Sequence, residues 1–461
     1  MPREKKMTAL QLPEPPVAVA PKAPPVAAGS EAAPPPRETS GSGTSFTPKE
    51  PQSFKECGVP DVLIESIVYK HLLAVGSNTG RGIARELALP GKDLVTLLAD
   101  LKNRQLVVYK GSASMGDFEY TLTEAGRERA KKHLEECTYV GTAPVPLKDY
   151  IDAVKAQTIL SEHPTEENLR EAFSDLLLSP DILDRLGPAI NSGRGMFLYG
   201  YPGNGKTSIA ERITKCFGTS IWIPRTLFVE GEIVQLFDPQ VHEPAGDDKP
   251  SIVKSAAVDA RWIRVRRPTI IVGGELTMDS LDMRINPVTK ISEPPIQLKS
   301  NCGTLVIDDF GRQRMNPTEL LNRWIVPLEK RYDFLALANG KKIQVPFDQL
   351  IIFSTNLEPK QLVDDAFLRR IPYKINVPDP TEAEYTALMR VMAEKFGIAF
   401  NETALSHLLE THYRKCSRPL RCCHPRDLLQ QIINRAKYRK EQPVMTSEAF
   451  DAACSNYFTL L

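Results

Sequence analysis

The chain has 461 residues, too many for one ordinary hydrophobic core, so two or three domains are expected. Its formal net charge of +1, with 25 % charged residues, gives no global attraction to nucleic acid or to an anionic membrane. Eight cysteines in a chain of this length, none in a CxxC pair, exclude a disulfide-framed secreted scaffold and fit reduced thiols in a cytoplasmic protein. No apolar stretch approaches the length of a membrane span or a standard signal core, so neither export nor membrane insertion is expected.

Residues 1–54 are rich in Pro, Ala, Ser and Gly. Repeated prolines remove backbone donors, and large apolar side chains are scarce, so a disordered, partly extended tail is expected. Residues 55–140 follow as a small domain. Leu63, Ile64, Ile67, Leu72 and Leu73 repeat at helical spacing, and two shorter helical stretches come after them. The segment from Val107 then reads as strand, Gly/Ser turn, strand and helix. Three helices and a hairpin resemble a winged helix-turn-helix domain of bacterial type. Residues 60–136 hold 11 Lys+Arg and 11 Asp+Glu. The candidate recognition helix carries Asp93 and Asp100 beside Lys92, Lys102 and Arg104. A duplex-binding face needs a surplus of cations, so docking of protein is favoured over DNA here, with DNA kept as the alternative.

Residues 141–380 should hold a larger α/β domain. Amphipathic stretches around Leu169, Phe173, Leu176 and Leu177 lead into it. The apolar run Met196–Tyr199 then meets Gly200, Tyr201, Pro202, Gly203, Asn204, Gly205, Lys206 and Thr207, a complete G-x-x-x-x-G-K-[ST] loop opening a helix. Glycines let backbone N–H groups turn inward onto phosphate oxygens, and the helix N-terminus adds partial positive charge. Lys206 would reach the β- and γ-phosphates of ATP, and the Thr207 hydroxyl would ligate Mg²⁺. Positions 207 and 308 are 101 apart, and there an apolar run ends in Asp308 and Asp309. Asp308 would hold Mg²⁺ through water, and Asp309 would orient or deprotonate the attacking water.

With both motifs in place, the chain resembles an AAA+ ATPase over residues 150–461. The resemblance implies a parallel α/β sheet with a helical lid at 381–461. It also implies a homo-oligomeric ring, a hexamer in many members, with ATP and Mg²⁺ as ligands. "QLIIFSTNLEP" resembles the sensor 1 strand, which would place Asn356 against the γ-phosphate or the water. "DDAFLRRIPYKINV" resembles the arginine-finger segment, with Arg370 or Arg369 acting on the neighbouring subunit's nucleotide; Arg331 is a further candidate. "CCHPRDLLQQIINRAKYR" resembles sensor 2, with Arg426 touching the phosphates in cis. Most members carry Asp-Glu where this chain has Asp-Asp. The shorter pair occurs among replication initiators, helicase loaders and transposition helpers, and it points to slower hydrolysis.

The chain departs from that pattern between 221 and 300, which is longer than usual. A basic run there, Arg261, Arg264, Arg266 and Arg267, precedes an apolar strand and a Gly-Gly turn. The run reads either as a contact for nucleic acid or acidic peptide, or as a solvated hairpin face. Asn339-Gly340 between two strand-like runs signals a tight hairpin. Cys416, Cys422, Cys423 and His424 match no usual zinc spacing. Three functions fit: an ATP-driven remodeller of a protein client, a DNA-associated ATPase, and a slow nucleotide-gated switch. The first is preferred.

Overall fold

A computed structural model describes residues 46–218, 220–246 and 258–458. The expected tail lies outside these residues as far as 45. Its last part does not behave as a tail. Phe46 packs edge-on against Trp262 with ring centroids 5.7 Å apart, Lys49 bridges to Val258, and Ser53 caps the short helix Phe54–Cys57. One aromatic ring finding an apolar partner outweighs the composition of its surroundings.

Helices Asp61–Val75, Gly80–Leu87 and Gly91–Asn103 form where the apolar spacing places them. They pack with a three-stranded antiparallel sheet, in the order Ser77–Thr79, Phe118–Leu122, Val107–Ser112, and helix Glu124–Glu136 follows. Ile64, Ile67, Leu72, Ile83, Leu94, Leu98 and Tyr120 share one core.

The central sheet has five parallel strands. Their order is Thr269–Val272, Thr304–Ile307, Leu350–Thr355, Met196–Tyr199, Tyr373–Asn376. The interior strands are continuous apolar runs because both faces are covered. Side chains alternate accordingly. Met196, Leu198, Val306 and Ile352 share a core with Leu186 and Ile190 of helix Pro180–Asn191 and with Ile209 and Ile213 of helix Lys206–Ile213. Phe197, Leu305, Ile307, Ile351 and Phe353 share another with Phe310, Trp324 and Phe347.

The stretch 221–300 is not a single insertion. Thr269–Val272 is the edge strand of the central sheet, paired in parallel with Thr304–Ile307. The rest builds a second β layer. Val145–Pro146, Thr226–Val229, Glu232–Gln235, Ser292–Glu293 and Arg284–Ile285 form one sheet, and Ser220–Pro224 pairs with Trp262–Arg266. The Asn339-Gly340 turn closes the hairpin Tyr332–Ala336/Lys342–Pro346, with Gly340 at φ 80°. This hairpin braces the layer: Leu335, Ile343 and Val345 join Tyr150, Ile221 and Leu227 in one core, and Lys341 pairs with Glu230.

The basic run divides between interior and surface, so a solvated hairpin face describes exposed Arg266 but not buried Arg261 and Arg267. Arg261 is buried, pairs with buried Asp259 and donates to the Cys57 carbonyl. Arg267 is buried, pairs with Glu162 and donates to the Gly218, Gln157 and Cys302 carbonyls. Arg264 donates to Ser220, and exposed Arg266 pairs with Glu243. Helices Glu382–Lys395, Glu402–Leu408, His424–Arg439 and Ser447–Tyr457 enclose a separate core around Tyr385, Leu405, Leu428 and Phe450.

Removing one partner of a buried ion pair strands the other charge, at a cost of about 3–5 kcal/mol. Arg261→Ala should therefore lower stability by roughly that amount in urea unfolding followed by tryptophan fluorescence. Arg266→Ala, on an exposed pair, should change it by less than about 1 kcal/mol.

Candidate functional site

Three of the central strands end at one place. Tyr199 runs into the glycine loop, Ile307 into Asp308, and Thr355 into Asn356. Because Leu350–Thr355 lies between the other two strands, Asn356 emerges between the loop and the acidic pair. Ligands of open parallel sheets bind at such carboxyl ends.

The loop's backbone needs its glycines. Gly200 has φ 142°, and a Cβ there would lie 2.3 Å from the Val377 carbonyl oxygen. Gly203 has φ 85°, and a Cβ there would lie 2.6 Å from Cys423 Sγ. Gly205, also at positive φ, leads into helix Lys206–Ile213.

Lys206 is buried, and its Nζ donates to the Gly200 and Tyr201 carbonyls and, at 2.8 Å, to Asn356 Oδ1. Asn356 Nδ2 donates to Asp309 Oδ1 at 3.0 Å. Burial pulls the Lys206 pKa below its ordinary value, while the Asp308 and Asp309 charges oppose that shift. Thr207 Oγ1 donates to Asp308 Oδ2 at 2.8 Å. A hydroxyl and a carboxylate side by side, both oxygen donors, are a donor set suited to Mg²⁺.

Asp379 and the start of the helix at His424 meet the loop. Asn204 Nδ2 donates to Asp379 at 2.7 Å, and the Cys423 amide donates to the Gly203 carbonyl at 2.9 Å. Tyr201 and Pro202 are exposed. Arg421 pairs with Asp379 and lies 4.3 Å over the Tyr201 ring. The sequence pattern singles out Arg426 and passes over Arg421. Arg426 pairs with its neighbour Asp427 and is largely exposed. The sequence signal for Arg421 is slight: it stands just ahead of the helix that begins at His424.

The finger candidates divide. Arg370 pairs with Glu329 at 2.6 Å, whereas Arg369 is exposed and forms no ion pair among the described residues. Arg331 is engaged within its own chain: it donates to the Gly193 and Gln349 carbonyls and pairs with Asp348. Among the described residues Cys416, Cys422, Cys423 and His424 form no metal-ligand cluster.

The fold and loop together define a parallel α/β sheet with a Walker-type phosphate loop. Residues 381–456 match a family described as a domain of unknown function (DUF8689). The chain is 25 % identical over 276 residues to the uncharacterized protein ORF529 of Acidianus two-tailed virus, covering 57 % of this chain and 42 % of that protein. It is 21 % identical over 247 residues to Spastin of Anopheles gambiae, covering 53 % and 24 %. The chain thus spans less than half the length of these curated relatives. Among solved structures, NtrX from Brucella abortus is similar with a TM-score of 0.40 and 15 % identity, covering 64 % of this chain and 59 % of that one. The Thermotoga maritima RuvB Holliday junction branch migration motor gives 0.35 and 12 %, covering 63 % and 73 %. No helix among the described residues is long and apolar enough to cross a membrane.

His424 opens the helix His424–Arg439 beside the loop, with Nδ1 2.9 Å from the Tyr413 hydroxyl. Burial, aided by the Arg421 charge, lowers its pKa from 6.5 to about 4. The folded pKa lies below the unfolded one, so this stabilisation is complete above pH 6.5 and is lost as pH falls toward 4. With allowance for solvent screening, lowering the pH from 7 to 5 should cost about 1–2 kcal/mol of stability in thermal melts. His424→Asn should remove that increment of the pH dependence.

Proposed function

We propose that the chain is an AAA+-type ATPase that uses ATP hydrolysis to remodel a protein client. The observation that carries this reading is the convergence of Lys206, Asn356 and Asp309 in one hydrogen-bonded line beside the Thr207–Asp308 pair. Lys206 and the loop amides would bind the β- and γ-phosphates. Asp309 and Asn356 would orient a water in line with the γ-phosphorus, and Asp309 would take up its proton. The new P–O bond forms as the bridge to ADP breaks, and ADP leaves with the electron pair. Thr207 and Asp308 would hold Mg²⁺, which supplies charge neutralisation on the phosphate oxygens.

A ring would place an arginine of one subunit at its neighbour's nucleotide. Arg369 is exposed and would be available for this, whereas Arg370 would first have to leave Glu329. The unit at 55–140 is read as a winged helix, with the ATPase domain at 141–380 and the lid at 381–461. The cations of helix Gly91–Asn103 and its cap favour protein over DNA. Arg104 is paired with Glu65 and Asp100, and Lys102 lies 3.8 Å over the Tyr109 ring. The hairpin presents Tyr109, Met115 and Phe118 to solvent.

Steady-state ATP hydrolysis should rise in specific activity with protein concentration and vanish in Lys206→Ala. Asn356→Ala should lower kcat by about 10²–10³ with little change in nucleotide affinity. Mixing Arg369→Ala with Lys206→Ala protein should restore part of the activity, because each supplies what the other lacks. Failure of that rescue, with activity independent of concentration, would remove the ring. Turnover stimulated by duplex DNA with a steep salt dependence would replace the protein client with DNA.

A further inference from the structure

On the side of the lid formed by helices Glu402–Leu408 and Ser447–Tyr457, three side chains converge. His407 Nε2 and His412 Nε2 both approach one oxygen of Asp451, at 2.9 and 2.6 Å. The three ligand atoms lie within 4.8 Å of one another, and none of the residues is fully buried. None takes part in the phosphate-loop chemistry.

The backbone is shaped around this cluster. Residues five apart on an α-helix point about 140° away from each other. Here Leu409–Arg414 is a π-helical turn, with the Lys415 amide bonded to the Glu410 carbonyl at 3.1 Å. The additional residue in the turn brings position 412 back toward the face of 407, so the rings stand 6.3 Å apart. Such π-turns are rare and gather at functional sites. Arg418 donates to the His412 carbonyl and helps to hold the turn.

We propose that His407, His412 and Asp451 form a binding site for a divalent transition-metal ion of the Zn²⁺ class. Two imidazole nitrogens and one carboxylate oxygen are a ligand set typical of Zn²⁺, with water completing the tetrahedron on the exposed side. The ion staples the last helix to the π-turn. That helix carries Tyr457, whose hydroxyl donates to Asp427 at 2.8 Å and lies 3.8 Å from Cys423 Sγ. Cys423 in turn holds the Gly203 carbonyl. The site therefore stiffens the lid where it rests on the phosphate loop.

The test is titration of the full chain with Co²⁺ and then Zn²⁺. Expected is one saturable Co²⁺ site with visible d–d bands, no thiolate charge-transfer band, and displacement by Zn²⁺. His412→Ala and Asp451→Asn should each weaken binding by at least about 10-fold while keeping the far-ultraviolet circular dichroism of the parent. Asp451→Asn keeps the side chain's shape, so it guards against loss of binding through misfolding. Absence of saturable uptake, uptake that persists in both variants, or a thiolate band in place of the expected spectrum would each overturn the site.

Discussion

The buried ammonium of Lys206 is the interaction on which the rest of the site depends. It is held away from water by the loop it belongs to, and its charge is met by two main-chain carbonyls and by Asn356. A buried cation tolerates few arrangements, because every lost contact leaves desolvation uncompensated. The strand order satisfies that demand. Placing Leu350–Thr355 between Met196–Tyr199 and Thr304–Ile307 delivers the Asn356 amide next to the loop, with the acids just beyond it. The two aspartates at the end of a hydrophobic strand are thus explained. The apolar run belongs to the sheet interior, and the acids emerge where the sheet ends.

The second β layer and the C-terminal helices support that arrangement from outside. Arg267 reaches the carbonyls of Gly218, Gln157 and Cys302, segments far apart in sequence, and so joins the layer to the edge of the central sheet. Arg331 donates to the Gly193 and Gln349 carbonyls and pairs with the Asp348 carboxylate. An arginine offers five donors in a fixed fork, which suits it to gathering carbonyls that no regular ladder satisfies. The sequence does not reveal these engagements because most of the partners lie far along the chain.

What is legible in the sequence follows from how local its cause is. The glycine loop, the apolar strands and the Asn339-Gly340 turn each carry their own signal within a few residues, and each forms where that signal lies. The two-residue strand Val145–Pro146 has no such signal, since it exists only through pairing with Thr226–Val229. Thr269–Val272 reads as an apolar strand, but its place at the edge of the main sheet rests on pairing with Thr304–Ile307. The packing of Phe46 on Trp262 and of Arg421 over Tyr201 likewise depends on tertiary partners. His407 and His412 escape notice for a different reason: their spacing separates them on any α-helix, and only the π-turn reunites them.

The acid pair shows how backbone and side chain are settled together. Asp309 has φ 48°, a left-handed conformation that short polar residues accept more readily than long ones. Its amide donates to Asp308 Oδ1 at 3.0 Å, while Asp308 Oδ2 accepts from Thr207. The next amide, of Phe310, is bonded to the Ser354 carbonyl on the neighbouring strand. The turn is therefore fixed on both sides, and the direction of the Asp309 carboxylate is fixed with it. Asn356 meets that carboxylate at 3.0 Å while holding Lys206 with its other atom. Asn356 thus links the exposed acid to the buried lysine through its two side-chain atoms. The short side chain is matched to the turn that bears it, and the reach of the acid is set by the backbone as much as by the number of its methylenes.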